Sequence, residues 1–249
     1  MNVKSLVERA LFYLSVPKCV SCKSRLNFTD KVFCPECSVK FKENIQRNCS
    51  RCSKILSECT CTTEYLRHHK INSVIKVYRY VRRPDTEPQN KLIYSLKQDG
   101  RADVLELSAS LLVRSLSASV KDINECVITA VPRRRRAKLE FGYDHAAALA
   151  KLIAKKTGAE YVPTLKSLSK RPQKSLHRDL RIKNVKFALL DTPDLKGRRV
   201  ILIDDVITSG ASVSAAADLI RTLQPKSIIA AALAVAYNDE LTPLAYTEF

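Results

Sequence analysis

The chain has 249 residues and no apolar run near the roughly eighteen residues that a membrane-spanning helix requires, which excludes a helical span. It has no low-complexity segment and no internal repeat beyond its paired cysteines, and a hydrophobic content of 45% argues against disorder. Histidine is scarce: His68 and His69 sit together in a polar linker, and His145 and His177 stand alone, so no histidine ligand cluster can be drawn. Acidic side chains are in deficit as well, 25 against 43 basic ones, for a formal charge of +18. That excess suits anionic ligands or partners but names none of them and says nothing of the fold. Two four-thiolate zinc sites would offset a small part of it, and the chain would stay strongly basic. Residues 1–14 carry Leu6, Val7, Ala10, Leu11 and Leu14 at helical spacing, broken by Glu8 and Arg9, which predicts a docking helix in preference to a signal peptide. The length fits one large domain or a domain with an appendage.

Cysteine is what the first quarter of the chain is rich in. Eight of the nine fall in four pairs: Cys19 with Cys22, Cys34 with Cys37, Cys49 with Cys52, and Cys59 with Cys61. A Cys-x-x-Cys turn puts two thiolates on one face at the separation a tetrahedral ion needs, and two such turns complete a site. Two four-cysteine zinc sites are the economical reading; a disulfide framework is the rival, disfavoured without a secretion signal. Sequential and cross-braced pairing are both compatible with the spacing. Four cysteines leave no open coordination position, so the metal is expected to be structural. Cys126, in an apolar run, is expected in the core.

Beyond residue 70 the pattern changes. Residues 73–81 alternate in β-branched and aromatic content and predict a strand. Residues 82–87 predict a turn, and Pro88–Gln98 a helix with Pro at its start and Gly100 just past its end. A longer helix is expected over 103–120, with Leu105, Ala109, Leu112, Val113 and Leu116 as its apolar positions. Residues 125–132 form a short apolar run of central-strand type, ending in Arg133, Arg134, Arg135, Arg136 and Lys138. A helix over 143–157 is closed by Gly158, and an extended segment over 162–168 leads to a basic stretch, 169–186, expected as a loop. Strand, turn, helix and strand follow at 200–203, 208–210, 211–223 and 227–237. This alternation points to an α/β fold, a parallel sheet flanked by helices.

Residues 199–212, RVILIDDVITSGAS, carry the chemistry. Ligands of open parallel sheets sit beyond the carboxyl ends of the strands, which is where Asp204 and Asp205 fall. The turn after them can aim backbone N–H groups and the hydroxyls of Thr208, Ser209 and Ser212 at one anion, and a helix beginning near Ala211 adds partial positive charge. Gly210 permits close backbone approach. Carboxylates for sugar hydroxyls beside a phosphate cradle suit a ribose 5-phosphate.

This stretch resembles the phosphoribosyl-pyrophosphate motif of type I phosphoribosyltransferases, in which an acidic pair binds the ribose hydroxyls and the following loop the 5-phosphate. The wider order resembles the ComF family of competence-associated phosphoribosyltransferase-like proteins: cysteine pairs, Leu96-Lys97 with Gly100, Val131-Pro132, residues 142–146, Gln173 with Leu176, and Arg181 with Asn184 and Val185. The resemblance implies a zinc-binding module over residues 1–66 and a phosphoribosyltransferase-like domain over 67–249. It implies phosphoribosyl pyrophosphate bound with Mg²⁺ by Asp204, Asp205, residues 208–212, Arg133, Arg136, Lys138 and Lys97. It also implies a cytoplasmic protein linked to DNA uptake. If the chain is a glycosyltransferase, pyrophosphate leaves ribose through an oxocarbenium-like state that Asp204 and Asp205 stabilise, and the basic loop closes over the site. The alternatives are an adaptor that handles single-stranded DNA or other competence proteins, using the ribose-phosphate site as a sensor, and a structural protein with a relict site. The chain departs from the family pattern at Phe141, where an arginine is usual, at Asp144, where an amide is usual, and at Ser175, where glycine is usual.

Overall fold

The computed structural model describes residues 17–80, 87–133, 143–168, 187–190 and 194–236. The expected helix over 1–14, nearly all of the turn over 82–87, Arg134 to Arg136 with Lys138, Phe141, Gly142, the basic stretch 169–186 and the chain after residue 236 lie outside the described residues.

Seven strands are described: β1 Val74–Arg79, β2 Val127–Ala130, β3 Glu160–Tyr161, β4 Leu165–Ser167, β5 Phe187–Leu189, β6 Arg199–Ile207 and β7 Ser227–Val235. Five form one sheet in the order β1-β7-β6-β2-β3, every neighbouring pair parallel; β4 and β5 form a small antiparallel pair beside it. The helices are α1 Pro35–Ile45, α2 Glu64–His68, α3 Pro88–Gln98, α4 Ala102–Ser119, α5 His145–Thr157 and α6 Ala211–Arg221. The parallel sheet flanked by helices expected from the sequence is therefore what forms.

β6 is central because Val200, Ile201, Leu202 and Ile203 are all fully buried, as a parallel strand covered on both faces must be. Its neighbour β7 supplies Ala230, Ala231, Ala232 and Ala234, small enough for helices to approach from both sides. Ile201 and Ile203 join α3, α4 and α5 in one apolar cluster; Val200 and Leu202 join α6 in the other. Val20, Leu26, Phe33 and Phe41 from the cysteine-rich segment belong to the first cluster, where Phe41 meets the ring of Tyr78 edge-on at 5.9 Å.

Two expectations change. α4 turns Val104, Ser108 and Ser115 inward with Ala109, Leu112 and Leu116, while Leu105 and Val113 are only partly buried. Small serines let this helix lie close to its neighbours, and apolar spacing alone could not foresee that. β6 also continues to Ile207, four residues past its expected end, because its ladder with β7 persists through Asp204, Val206 and Ile207. The two aspartates therefore lie within the strand. Alternation places Asp205 on the face of Ile201 and Ile203, and Asp204 on the face of Val200 and Leu202.

Candidate ribose-phosphate site and cysteine clusters

Three elements meet at Asp205. Its carboxylate is 5% exposed, and Oδ2 lies 2.6 Å from Lys97 Nζ and 2.9 Å from His145 Nε2. Oδ1 accepts from the backbone N–H of Val206 at 2.8 Å. Lys97 is on the last turn of α3, and His145 is the first residue of α5. The Asp144 carboxylate sets that start, accepting from Ala147 N at 3.3 Å and from Arg133 N at 3.4 Å. Burial alone would push the Asp205 carboxyl up, but the Lys97 ammonium and His145 hold it well below the usual carboxylate range. Asp204, half-buried, shows the opposite: burial first, then the Asp205 charge, raise it well above that range. The adjacent acids are therefore unlike. Asp205 is an internal anion facing Lys97 and His145, and Asp204 is the acid with access to solvent.

The turn after β6 leads into α6 through a glycine. Gly210 caps α6 at φ +84°, Thr208 is exposed, and Ser209 and Ser212 are partly exposed. Ser209 Oγ accepts from Ala211 N at 3.4 Å. Ala211 itself is buried, so only its backbone can serve a ligand. Arg133 reaches the same end of the sheet, its guanidinium donating to the carbonyl of Lys97 at 3.4 Å. Of the other cations expected here, Arg136 and Lys138 lie outside the described residues, and Lys97 sits on Asp205. The sequence did not assign His145 as a partner of Asp205; its position at the start of α5 placed it at the right end of the sheet, but the contact exists only in three dimensions. Tyr143 likewise donates its hydroxyl to the carbonyl of Leu96, holding the entry to α5 against α3.

The eight paired cysteines gather into two clusters, Cys19, Cys22, Cys34 and Cys37, and Cys49, Cys52, Cys59 and Cys61, the sulfurs of each lying within 4.8 Å of one another. The pairing is sequential and not cross-braced. Tetrahedral zinc with Zn–S bonds of about 2.3 Å spaces its sulfurs about 3.8 Å apart. Cys22 and Cys34 stand at 3.7 Å, whereas a disulfide would draw one pair to about 2.0 Å. The first pair of each cluster lies in the same backbone knuckle. Lys23 and Ser53 have positive φ, Cys19 N donates to Ser24 O and Cys49 N to Lys54 O, and one isolated bridge follows in each case. In each cluster an outer thiol ionises easily: a hydrogen bond from Ser24 lowers Cys22 to about 6, and the backbone at Lys54 lowers Cys52 to about 7. Burial pushes the inner Cys37 and Cys59 up to about 12, so four thiolates persist together only around a cation. Both clusters could hold zinc, which would act as a structural cross-link.

Residues 145–247 match the phosphoribosyl transferase domain. Among solved structures the chain is similar to a purine phosphoribosyltransferase from Pyrococcus horikoshii Ot3, at 18% identity over 56% of this chain and 78% of that one, with a TM-score of 0.37. It is similar also to a hypoxanthine-guanine phosphoribosyltransferase from Bacillus anthracis, at 16% identity over 56% and 75%, with a TM-score of 0.37. The fold is that of a type I phosphoribosyltransferase. No curated protein matches the chain. Among the described residues no helix is long and apolar enough to cross a membrane.

Two predictions follow from this geometry. Asp205→Asn removes the buried anion that faces Lys97 and His145 and is expected to cost about 3–5 kcal/mol at neutral pH, read as a shift in denaturant midpoint. Asp204→Asn is expected to leave stability unchanged or raise it. In the parent protein the Asp205 contribution is complete above the unfolded carboxylate value of about 3.9 and is lost as pH falls through its depressed folded value; that of Asp204 runs the other way, present below about 3.9 and lost as pH rises through its raised one. For the clusters, elemental analysis of freshly purified protein should give two zinc ions per chain, with Cys37→Ser and Cys59→Ser each removing one.

Proposed function

We propose that this chain binds phosphoribosyl pyrophosphate and is a phosphoribosyltransferase-like protein of the ComF type, cytoplasmic and associated with DNA uptake, with a zinc-binding module over residues 1–66 and the phosphoribosyl domain over 67–249. The observation that carries the reading is the juxtaposition of the solvent-reaching Asp204 with the Gly210-capped turn, inside the segment that matches the phosphoribosyl transferase domain. Asp204 accepts from a ribose hydroxyl. The backbone and hydroxyls of residues 208–212 hold the 5-phosphate, assisted by the start of α6. Asp205 fixes Lys97 and α5 behind the ribose, and Arg133, with Arg136 and Lys138, meets the pyrophosphate.

Catalysis on this plan is electrostatic. Positive charge that develops on the sugar as the bond from carbon 1 to pyrophosphate breaks is stabilised by the carboxylates of Asp204 and Asp205. Arg133, with Arg136 and Lys138, supplies the protein's own positive charge to the leaving group, to which Mg²⁺, when bound with the pyrophosphate, would add neutralising charge. The departing diphosphate takes the bonding electron pair, and the acceptor's nucleophilic atom supplies the replacement.

A second reading rests on the first cysteine knuckle, where Lys18, Lys23 and Arg25 are exposed next to Phe28, itself 43% exposed. Basic side chains with an aromatic ring suit single-stranded DNA, and the same protein would then act as an adaptor whose ribose-phosphate site senses a ligand.

Calorimetric titration with phosphoribosyl pyrophosphate and Mg²⁺ is expected to show saturable binding that Asp204→Asn weakens by about 10- to 100-fold, the loss of one charge-assisted hydrogen bond; unchanged affinity in that variant sinks the site. For the second reading, single-stranded DNA binding should fall steeply with salt, and the slope should decrease when Lys23 and Arg25 become glutamine, with Asp204→Asn having no effect.

A further inference from the structure

The second cysteine cluster is tied to the sheet and, through it, to the phosphate turn. Lys76, in β1, is 1% exposed, and its ammonium lies 2.7 Å from the carbonyl of Cys61, 3.2 Å from that of Cys59 and 3.3 Å from that of Val74. Val74 N donates to Thr60 O at 3.1 Å. The backbone of the Cys59–x–Cys61 pair is thereby fastened to β1, and a buried cation stands beside a cluster that four thiolates would make anionic around a divalent metal. Arg51, on the knuckle of the same cluster, donates to Thr62 O at 2.5 Å.

The chain leaving this cluster runs directly to the turn. Thr63 caps α2, its hydroxyl accepting from Leu66 N at 3.3 Å. Leu66 is fully buried, and its side chain lies against Gly210: a Cβ added at Gly210 would sit 2.8 Å from Leu66 Cδ2, 3.0 Å from its Cγ and 3.4 Å from Tyr65 Cδ1. The far end of α2 is held on α6, where His69 Nδ1 lies 2.8 Å from Asp218 and Arg221 donates to the His69 carbonyl. A five-residue helix has no stability of its own, so its position is set by these two ends.

We infer that Leu66 is a positioning residue for the phosphate-binding turn, and that the cluster of Cys49, Cys52, Cys59 and Cys61, when it holds metal, fixes Leu66 in that place. The inference rests on reading residues 208–212 as the phosphate cradle. Backbone N–H groups bind an anion well only when they are already aimed at it, and the packing of Leu66 on Gly210 keeps the turn from opening. Among the described residues the first cluster has no such path: its residues pack with α1, α3 and β1 on the other face of the sheet.

The experiment combines hydrogen exchange on ligand-free protein with titration of ribose 5-phosphate. Leu66→Ala is expected to retain both zinc ions, to speed amide exchange across residues 208–212, and to weaken ribose 5-phosphate by about tenfold or more. Leu66→Val, which keeps more of the core filled, should show a smaller effect of the same sign. Cys59→Ser should lose one zinc and speed exchange in the same peptide. Cys22→Ser loses the other zinc and should leave that peptide as it is in the parent. Parent-like exchange in Leu66→Ala and Cys59→Ser, or an equal increase in Cys22→Ser, overturns the coupling. Failure of the parent protein to bind ribose 5-phosphate overturns the phosphate reading instead, and the exchange pattern still decides whether the cluster holds the turn.

Discussion

The carboxylate of Asp205 is the point on which the arrangement depends. A buried anion of this kind is costly to desolvate, and it persists only where geometry brings it compensating donors. Here one oxygen takes the ammonium of Lys97 and the imidazole of His145, and the other takes a backbone N–H of its own strand. Because Lys97 closes α3 and His145 opens α5, the same anion fixes the end of one helix and the start of another against the central strand. Asp144 caps α5 and so sets the register in which His145 meets Asp205.

The two acids of the motif consequently have different work. One is buried beside Lys97 and His145 and organises the scaffold; the other, half-buried, is raised by burial and then by its neighbour's charge. Adjacent residues on a strand face opposite sides, so a strand that continues past an acidic pair separates the pair's roles. Around them, the small residues of β7 and the inward serines of α4 allow helices to pack closely on the face where Asp205 lies. The second cysteine cluster lies where apolar burial is sparse: Cys49, Leu56 and Cys59 form only a small cluster of their own. A metal cross-link there would hold a segment that the hydrophobic effect holds weakly.

Much of this was legible in the residues. The buried run of β6, the small-residue helix after Gly210, the Pro and Gly that bracket α3, and the Gly158 that closes α5 are local signals, each fixed by backbone conformation or by burial on both faces of a sheet. The four cysteine pairs were equally plain, since metal spacing is a property of short turns. Their partition into two sequential clusters was not, because which turn meets which depends on how the intervening chain folds back.

By itself, then, the sequence determined a parallel α/β sheet, an acidic pair running into a glycine-capped turn, and two candidate metal sites, because these are read from patterns within short stretches of chain and from the order of those stretches. Only the tertiary structure decided that Lys97 and His145 converge on Asp205, that Asp204 is the acid left to the solvent, and that Leu66 packs on Gly210. Those partners are separated by between 60 and 144 residues of chain, and no periodicity or spacing rule reaches so far. Their meeting is set by the order of strands in the sheet and by the cost of leaving a buried charge alone.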